Sequence, residues 1–228
     1  MSMQTTLYYL LLFLGFFAFS FVSWRKFHED YDPNAIFTLT LGFLMGGIPV
    51  WFLFARFFPA YSVWGFLLGG LAAGWYAARK MHFKVYEILD GVALGLVWFS
   101  LFFYIGFLIR FGWGKYFTNT LYLLVPILVL VCARYVFTGY RRFSWYPSGK
   151  IGFIGAAAGF SYFFLLLVVD FALSLVLSSP GKLVESGISL LAVVVFFSAL
   201  YLRSGRREAQ HLLTVFQQNK RKRKINGR

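Results

Sequence analysis

Seven stretches of about twenty mostly apolar residues follow one another with short polar joints between them, and this repetition limits what the chain can fold into. They run over Thr6–Trp24, Ala35–Phe57, Ser62–Ala78, Val85–Ile109, Thr120–Gly139, Ile151–Leu177 and Leu183–Leu202. A segment of this length crosses the hydrocarbon layer of a bilayer as a helix. Backbone groups in that layer find no water, so helices are expected rather than open sheets. The third segment is short and rich in glycine, which predicts a tilted or irregular helix. The fourth and sixth are long, which allows tilt or a break. The expected fold is therefore all-α, a polytopic integral membrane protein of about seven transmembrane helices over residues 1–202. A basic tail follows at 203–228. Composition agrees, with 60% hydrophobic and 13% charged residues, against about 45–50% apolar and a quarter charged in soluble domains.

The charges say which way the helices run. Arg25, Lys26, Arg79, Lys80, Lys84, Arg141, Arg142, Lys150, Arg203, Arg206, Arg207 and the run KRKRK at 220–224 fall on one side of the expected spans. Arg56, Arg110, Lys115 and Lys182 fall on the other, and Arg134 lies within the fifth segment. Positive charge collects on the cytoplasmic face. The N-terminus is thus placed outside and the C-terminus in the cytoplasm. The outer joints around FPAYS, GWGKYFTN and SSPGK are too short to build a folded outer domain. No basic stretch precedes Leu7 and no small-residue cleavage site follows the first apolar run, so that run is read as a retained helix. The net charge of +14 would suit nucleic acid in a soluble chain, but here the last helix pins the tail to the membrane. Ala209, Leu212, Leu213 and Phe216 share one helical face before the basic run. Such a tail is drawn to anionic inner-leaflet lipid, and no nucleic-acid partner is expected.

Several chemistries are excluded by what the chain lacks. One cysteine, Cys132, leaves no intrachain disulfide and no cysteine-based metal site. His28, His82 and His211 all fall on the cytoplasmic side, so no imidazole serves as a base at the outer half of the membrane. There is no H-E-x-x-H, no phosphate-binding G-x-x-x-x-G-K, no G-x-G-x-x-G and no Ser–His–Asp arrangement. No cofactor or metal is expected.

Ionisable residues inside a membrane are costly and are functional candidates. Asp90 sits about one turn into the fourth segment, near Glu87, Lys84 and His82. It suits either a helix-start acid favoured by the helix dipole or a functional carboxylate. Asp170 lies deep in FFLLLVVDFALSL, where an inter-helix pair, a wet cavity and a functional carboxylate all remain open. Glu185 opens the last segment at the outer interface. Arg110 and Lys115 stand at the same interface, where they either anchor to headgroups or hold a lipid phosphate. The glycines of GFLLGGLAAGWYAARK at 65–80, and Gly155 and Gly159 of GFIGAAAGF, have spacing that lets helix backbones approach.

The order of these pieces resembles the bacterial prolipoprotein diacylglyceryl transferases, over about residues 35–202. GFLMGGIPVWFLF at 42–54 is similar to that family's glycine pair, arginine and aromatic stretch, with Ile48 in the arginine's place. Gly69, Gly70 and Leu71 match its Gly-Gly-Leu, with Leu68 where a histidine belongs, and AARK at 77–80 fits the basic end that follows. VYEILDGVALGL places Asp90 on the family's aspartate. Counting from there puts Tyr104 on an arginine, Gly106 on a glycine and Phe107 on an asparagine of its Gly-Arg-x-Gly-Asn signature. Trp113 and Gly114 fit next. Leu121 and Tyr122 match its Leu-Tyr, with Phe117 replacing a histidine and Leu123 a glutamate, and the family's long preceding outer segment is almost absent. SGKIGFIGAAAGF leads to Asp170 as the acid of an Arg-x-x-x-Glu pair whose arginine is replaced by Leu166.

The resemblance implies a seven-helix inner-membrane scaffold with its C-terminus inside. It implies membrane phospholipid, phosphatidylglycerol in the family, and a lipoprotein signal peptide as partners. It also implies that the transfer chemistry has been lost. Arginine forks suit phosphate because they are planar and bidentate, and Ile48, Tyr104 and Leu166 cannot supply them. The first expectation is a lipid-binding relative with a degenerate site in the bacterial inner membrane. The glycines of 65–80 are then the packing part of a motif without its catalytic residue. An active but divergent diacylglyceryl transferase is the alternative, with Asp170 and Tyr104 as catalytic candidates and Arg110, Lys115, Tyr122, Gly69 and Gly70 as lipid-binding ones. A small transporter or accessory subunit with Asp170 in its pathway is the third.

Overall fold

In a computed structural model the chain is described over residues 3–58, 61–111, 116–139, 152–177 and 180–203. All regular structure there is helical: α1 (Met3–Phe27), α2 (Pro33–Phe57), α3 (Ser62–Lys80), α4 (Val85–Phe111), α5 (Tyr116–Gly139), α6 (Phe153–Leu177) and α7 (Pro180–Arg203). These coincide with the seven expected segments, lengthened by up to a turn where charged ends such as Arg25–Phe27 continue the helix. Six of them are long and apolar enough to cross a membrane: all but α3, whose glycines and terminal Arg79 and Lys80 dilute it. Large apolar side chains cover the outside, with Phe13 69%, Phe52 62% and Leu191 68% exposed. An apolar surface this extensive is stable only against lipid or another apolar surface. The expected tail beyond Arg203 lies outside the described residues.

The chain divides into two compact units, Met1–Leu130 and Val131–Arg228. In the first, α1 packs on α4 and on α2, and α2 packs on α3. The α2–α3 contact is antiparallel with a fixed register. Gly42 faces Ala77, Gly46 faces Ala73, Val50 faces Gly69, and Phe54 faces Gly65. Each step is four residues on one helix against four on the other, so the contact stays on one face of each. A Cβ on Gly46 would stand 2.5 Å from the Gly69 carbonyl oxygen. Only glycine permits that approach.

Elsewhere the glycines admit phenylalanine rings. Phe43 covers Gly70, Phe66 covers Gly47, Phe27 covers Gly91 and Phe19 covers Gly95. The rings then meet one another across the unit. Phe19 of α1 lies 5.3 Å from Phe43 of α2, Phe43 lies 5.6 Å from Phe66 of α3, and Phe66 lies 6.0 Å from Phe99 of α4. Phe99 returns to α1 beside Gly15. One ring from each of four helices thus fills a layer of the unit.

A second cluster closes one end, where Phe27, Ile36, Leu39, Ala77, Ala78 and Phe83 are buried together. Asp32 caps α2 by accepting from the Asn34 amide at 2.9 Å, with Pro33 opening the helix. Tyr31 stacks on Phe83 and donates a hydrogen bond to Glu87 Oε2. It also accepts one from the Lys84 amide at 3.1 Å, while Lys84 Nζ lies 3.3 Å from Glu87 Oε1. The α1–α2 joint is thereby clasped to the α3–α4 joint.

In the second unit α6 and α7 form an antiparallel pair. Phe196 of α7 covers Gly159 and stacks on Phe163, and Phe197 lies 6.0 Å from Phe160. Ala156 and Ala158 are buried.

Candidate functional site

Each polar residue singled out in the sequence now has surroundings. Arg110 ends α4 and is exposed. Its guanidinium carbon lies 5.0 Å from the centroid of the Tyr8 ring, which α1 brings alongside. Gly106, one turn earlier, makes room for that ring: a Cβ there would stand 3.1 Å from Tyr8 Cδ2. The guanidinium is therefore braced by a cation–π contact at an exposed helix end. Tyr104, on the same helix, stacks on Tyr122 of α5 with centroids 5.7 Å apart and planes 9° from parallel. The structure thus brings Tyr104 and Tyr122 together, as the sequence did not foresee, and gives Arg110 a partner in Tyr8 that the sequence did not mark. Lys115 lies outside the described residues.

Gly69 and Gly70 face α2. A Cβ on Gly69 would stand 2.6 Å from Val50 Cγ2, and one on Gly70 would stand 2.8 Å from the Phe43 ring. Their open surface is taken up by helix packing. Leu68 and Ile48, which occupy the places of a histidine and an arginine in the resemblance, are 60% and 41% exposed. Apolar side chains suit such outward positions in lipid.

Asp170 belongs to the second unit and is 0% exposed, as is Ser189 of α7, whose hydroxyl donates to Asp170 Oδ2 at 3.4 Å. Ser174 and Ser186 are buried along the same pair, their hydroxyls bonded to the Phe171 and Lys182 carbonyls at 2.7 and 2.9 Å. The aspartate therefore lies in a short polar seam between α6 and α7. Only Asp170 marks the seam in the sequence by itself. Asp170 and Ser174 lie four apart inside the otherwise apolar α6, and Ser186 and Ser189 lie three apart on α7, a spacing that becomes informative only once the two helices are paired. In the first turns of α7, Lys182 pairs with Glu185. Asp90 is 3% exposed within α4. Among the described residues no group of three or more His, Cys, Asp or Glu side chains is arranged to hold a metal.

Compared with family models, with curated proteins and with solved structures, the chain matches none.

Proposed function

We propose that the chain is a multi-pass protein of the bacterial inner membrane that binds phospholipid on a scaffold like that of the prolipoprotein diacylglyceryl transferases, without their transfer chemistry. Its N-terminus is outside and its C-terminus is cytoplasmic. The observation that carries the reading is Arg110: an exposed guanidinium at a helix end, braced on the Tyr8 ring at 5.0 Å. A planar cation held at the membrane–water boundary matches the phosphate of a phospholipid headgroup. The aromatic pair Tyr104–Tyr122 belongs to the same unit and offers ring surface to lipid.

Loss of transfer chemistry is supported by the neighbours of the motif positions. Where the resemblance calls for arginine and histidine, Ile48 and Leu68 are apolar and turned outward, and Gly69 and Gly70 serve helix packing. Acyl-glyceryl transfer to a cysteine thiol needs a group that takes the proton, and neither leucine nor isoleucine does so. The test is lipid retention. The purified chain carries phosphatidylglycerol into native mass spectrometry, and Arg110→Gln reduces the carried lipid while leaving the fold intact. Equal retention by the variant would remove the proposed headgroup contact.

A further inference from the structure

The closed end of the first unit carries four cations that the lipid-binding proposal does not use. Arg25 and Lys26 form the last turn of α1, and Arg79 and Lys80 the last turn of α3. All four are exposed. The fold gathers them: Phe27, which follows Lys26, and Ala78, which precedes Arg79, are buried in the same cluster. The two basic pairs thus stand on the rim of one small apolar plug. Among the described residues none of the four has a carboxylate within ion-pairing distance. Lys84, the fifth cation of this end, is occupied by Glu87 at 3.3 Å. The α1–α2 joint adds three carboxylates beyond the helix end, Glu29, Asp30 and Asp32. Asp32 caps α2, and Glu29 Oε1 lies 4.0 Å from His28 Nε2. Asp30 is exposed.

Tryptophans mark the depth of this rim. Arg79 lies over the Trp75 ring at 5.0 Å, one turn deeper, and Trp24 stacks on His28 at 4.9 Å, with both indoles exposed. Tryptophan settles at the boundary between acyl chains and headgroups. Arg25 and Lys26, next to Trp24, and Arg79, over the Trp75 ring, therefore stand at the headgroup boundary.

From this geometry we infer that the paired helix ends, Arg25–Lys26 and Arg79–Lys80, form a binding surface for the headgroups of anionic phospholipid in the leaflet opposite Arg110. Along α4, Arg110 lies 25 residues from Val85, about 37 Å away at 1.5 Å per residue. The two surfaces are therefore independent. This one rests on the membrane-spanning architecture and not on any likeness to a transferase. It shares no residue with the basic run at 220–224. It is built on helices, so its charges keep their spacing.

The experiment uses the full-length chain in nanodiscs of phosphatidylcholine with a minor fraction of phosphatidylglycerol, and native mass spectrometry counts the lipids retained. Three variants are compared with the parent: Arg79→Gln with Lys80→Gln, Arg25→Gln with Lys26→Gln, and a tail variant with glutamine throughout 220–224. The expected result is preferential retention of phosphatidylglycerol by the parent. Retention falls by about fivefold for each helix-end cation removed, Arg79→Lys retains most of it, and the tail variant keeps the selectivity. Unchanged thermal unfolding of the glutamine variants separates lost binding from lost fold. Retention equal to the parent in both helix-end variants would overturn the inference. So would equal retention of phosphatidylcholine, or displacement of the lipid by millimolar inorganic phosphate. Arg110→Gln removes only its own share of the phosphatidylglycerol count, and the helix-end substitutions lower the count further on that background, so the two sites fail separately.

Discussion

Replacing Gly69 with alanine tests the packing of the first unit at its tightest point. The added Cβ would stand 2.6 Å from Val50 Cγ2 and 2.8 Å from Val50 Cβ, and would press on the Gly46 carbonyl. A carbonyl within a helix cannot turn aside as a flexible side chain can. Restoring an ordinary contact means moving α2 and α3 apart by about 1 Å, which strains the neighbouring Gly46–Ala73 and Gly65–Phe54 contacts in the same register. Overpacking of this kind costs about 1–3 kcal/mol, offset by about 1 kcal/mol because alanine favours helix over glycine. The net loss is up to about 2 kcal/mol, or up to about 8 °C in Tm for a chain of this size. Two substitutions provide the control. A Cβ on Gly74 would meet the Phe43 ring at an ordinary 3.7 Å, and one on Gly187 would meet nothing within 4 Å. Gly74→Ala and Gly187→Ala are therefore expected to leave Tm unchanged or raise it slightly. Thermal unfolding of the purified protein in one detergent, followed by tryptophan fluorescence, reads all three. If Gly69→Ala tracks the two controls, α2 and α3 do not approach at glycine.

The clasp at the closed end predicts that Tyr31→Phe loses about 1 kcal/mol of stability, the net worth of a typical hydrogen bond, as read by the same unfolding assay. Its pH dependence is one-sided. Burial and the hydrogen bond to Glu87 push the Tyr31 hydroxyl above its usual range, and the hydrogen bond to Glu87 raises the Lys84 amine. Groups raised in the fold contribute stability below their unfolded values and lose it as pH climbs through the folded ones. The parent should therefore lose stability above about pH 10, and Tyr31→Phe should lose less over the same window. In the second unit, a double-mutant cycle of Asp170→Ala and Ser189→Ala should show a coupling of about 0.6 kcal/mol and at most about 1.7; strict additivity would mean that the Asp170–Ser189 contact does not form. In a Cys132→Ser background, Asp30→Cys should react with a membrane-impermeant maleimide only when the cytoplasmic face is opened, and labelling of intact cells would invert the topology.

The helices were legible because an apolar run of membrane length leaves the backbone one economical conformation. Their ends were less so: Arg25, Lys26 and Phe27 prolong α1 beyond its apolar run, since basic side chains suit a helix C-terminus. The glycines of 65–80 announced close packing, but not what they pack on. The pairing of Gly46 with Ala73 and Val50 with Gly69 depends on how two helices slide past each other, which no single-helix pattern records. The Tyr31–Glu87 contact spans 56 residues and depends on two joints meeting. Arg110 was visible as an interfacial cation, whereas Tyr8 looked like one more aromatic residue in an apolar helix. Asp170 stood out by its cost in lipid; Ser189 did not, because a single serine in a membrane helix can satisfy its own hydroxyl on a carbonyl one turn back.

The central claim is that the scaffold binds phospholipid without transferring it, and a transfer assay tests it most directly. The chain is expressed in cells depleted of their own diacylglyceryl transferase, and labelled phosphatidylglycerol is followed into lipoprotein. The account predicts normal membrane insertion and no labelled lipoprotein. Labelled lipoprotein that disappears on Asp170→Ala would show an active enzyme built from other residues and would contradict it.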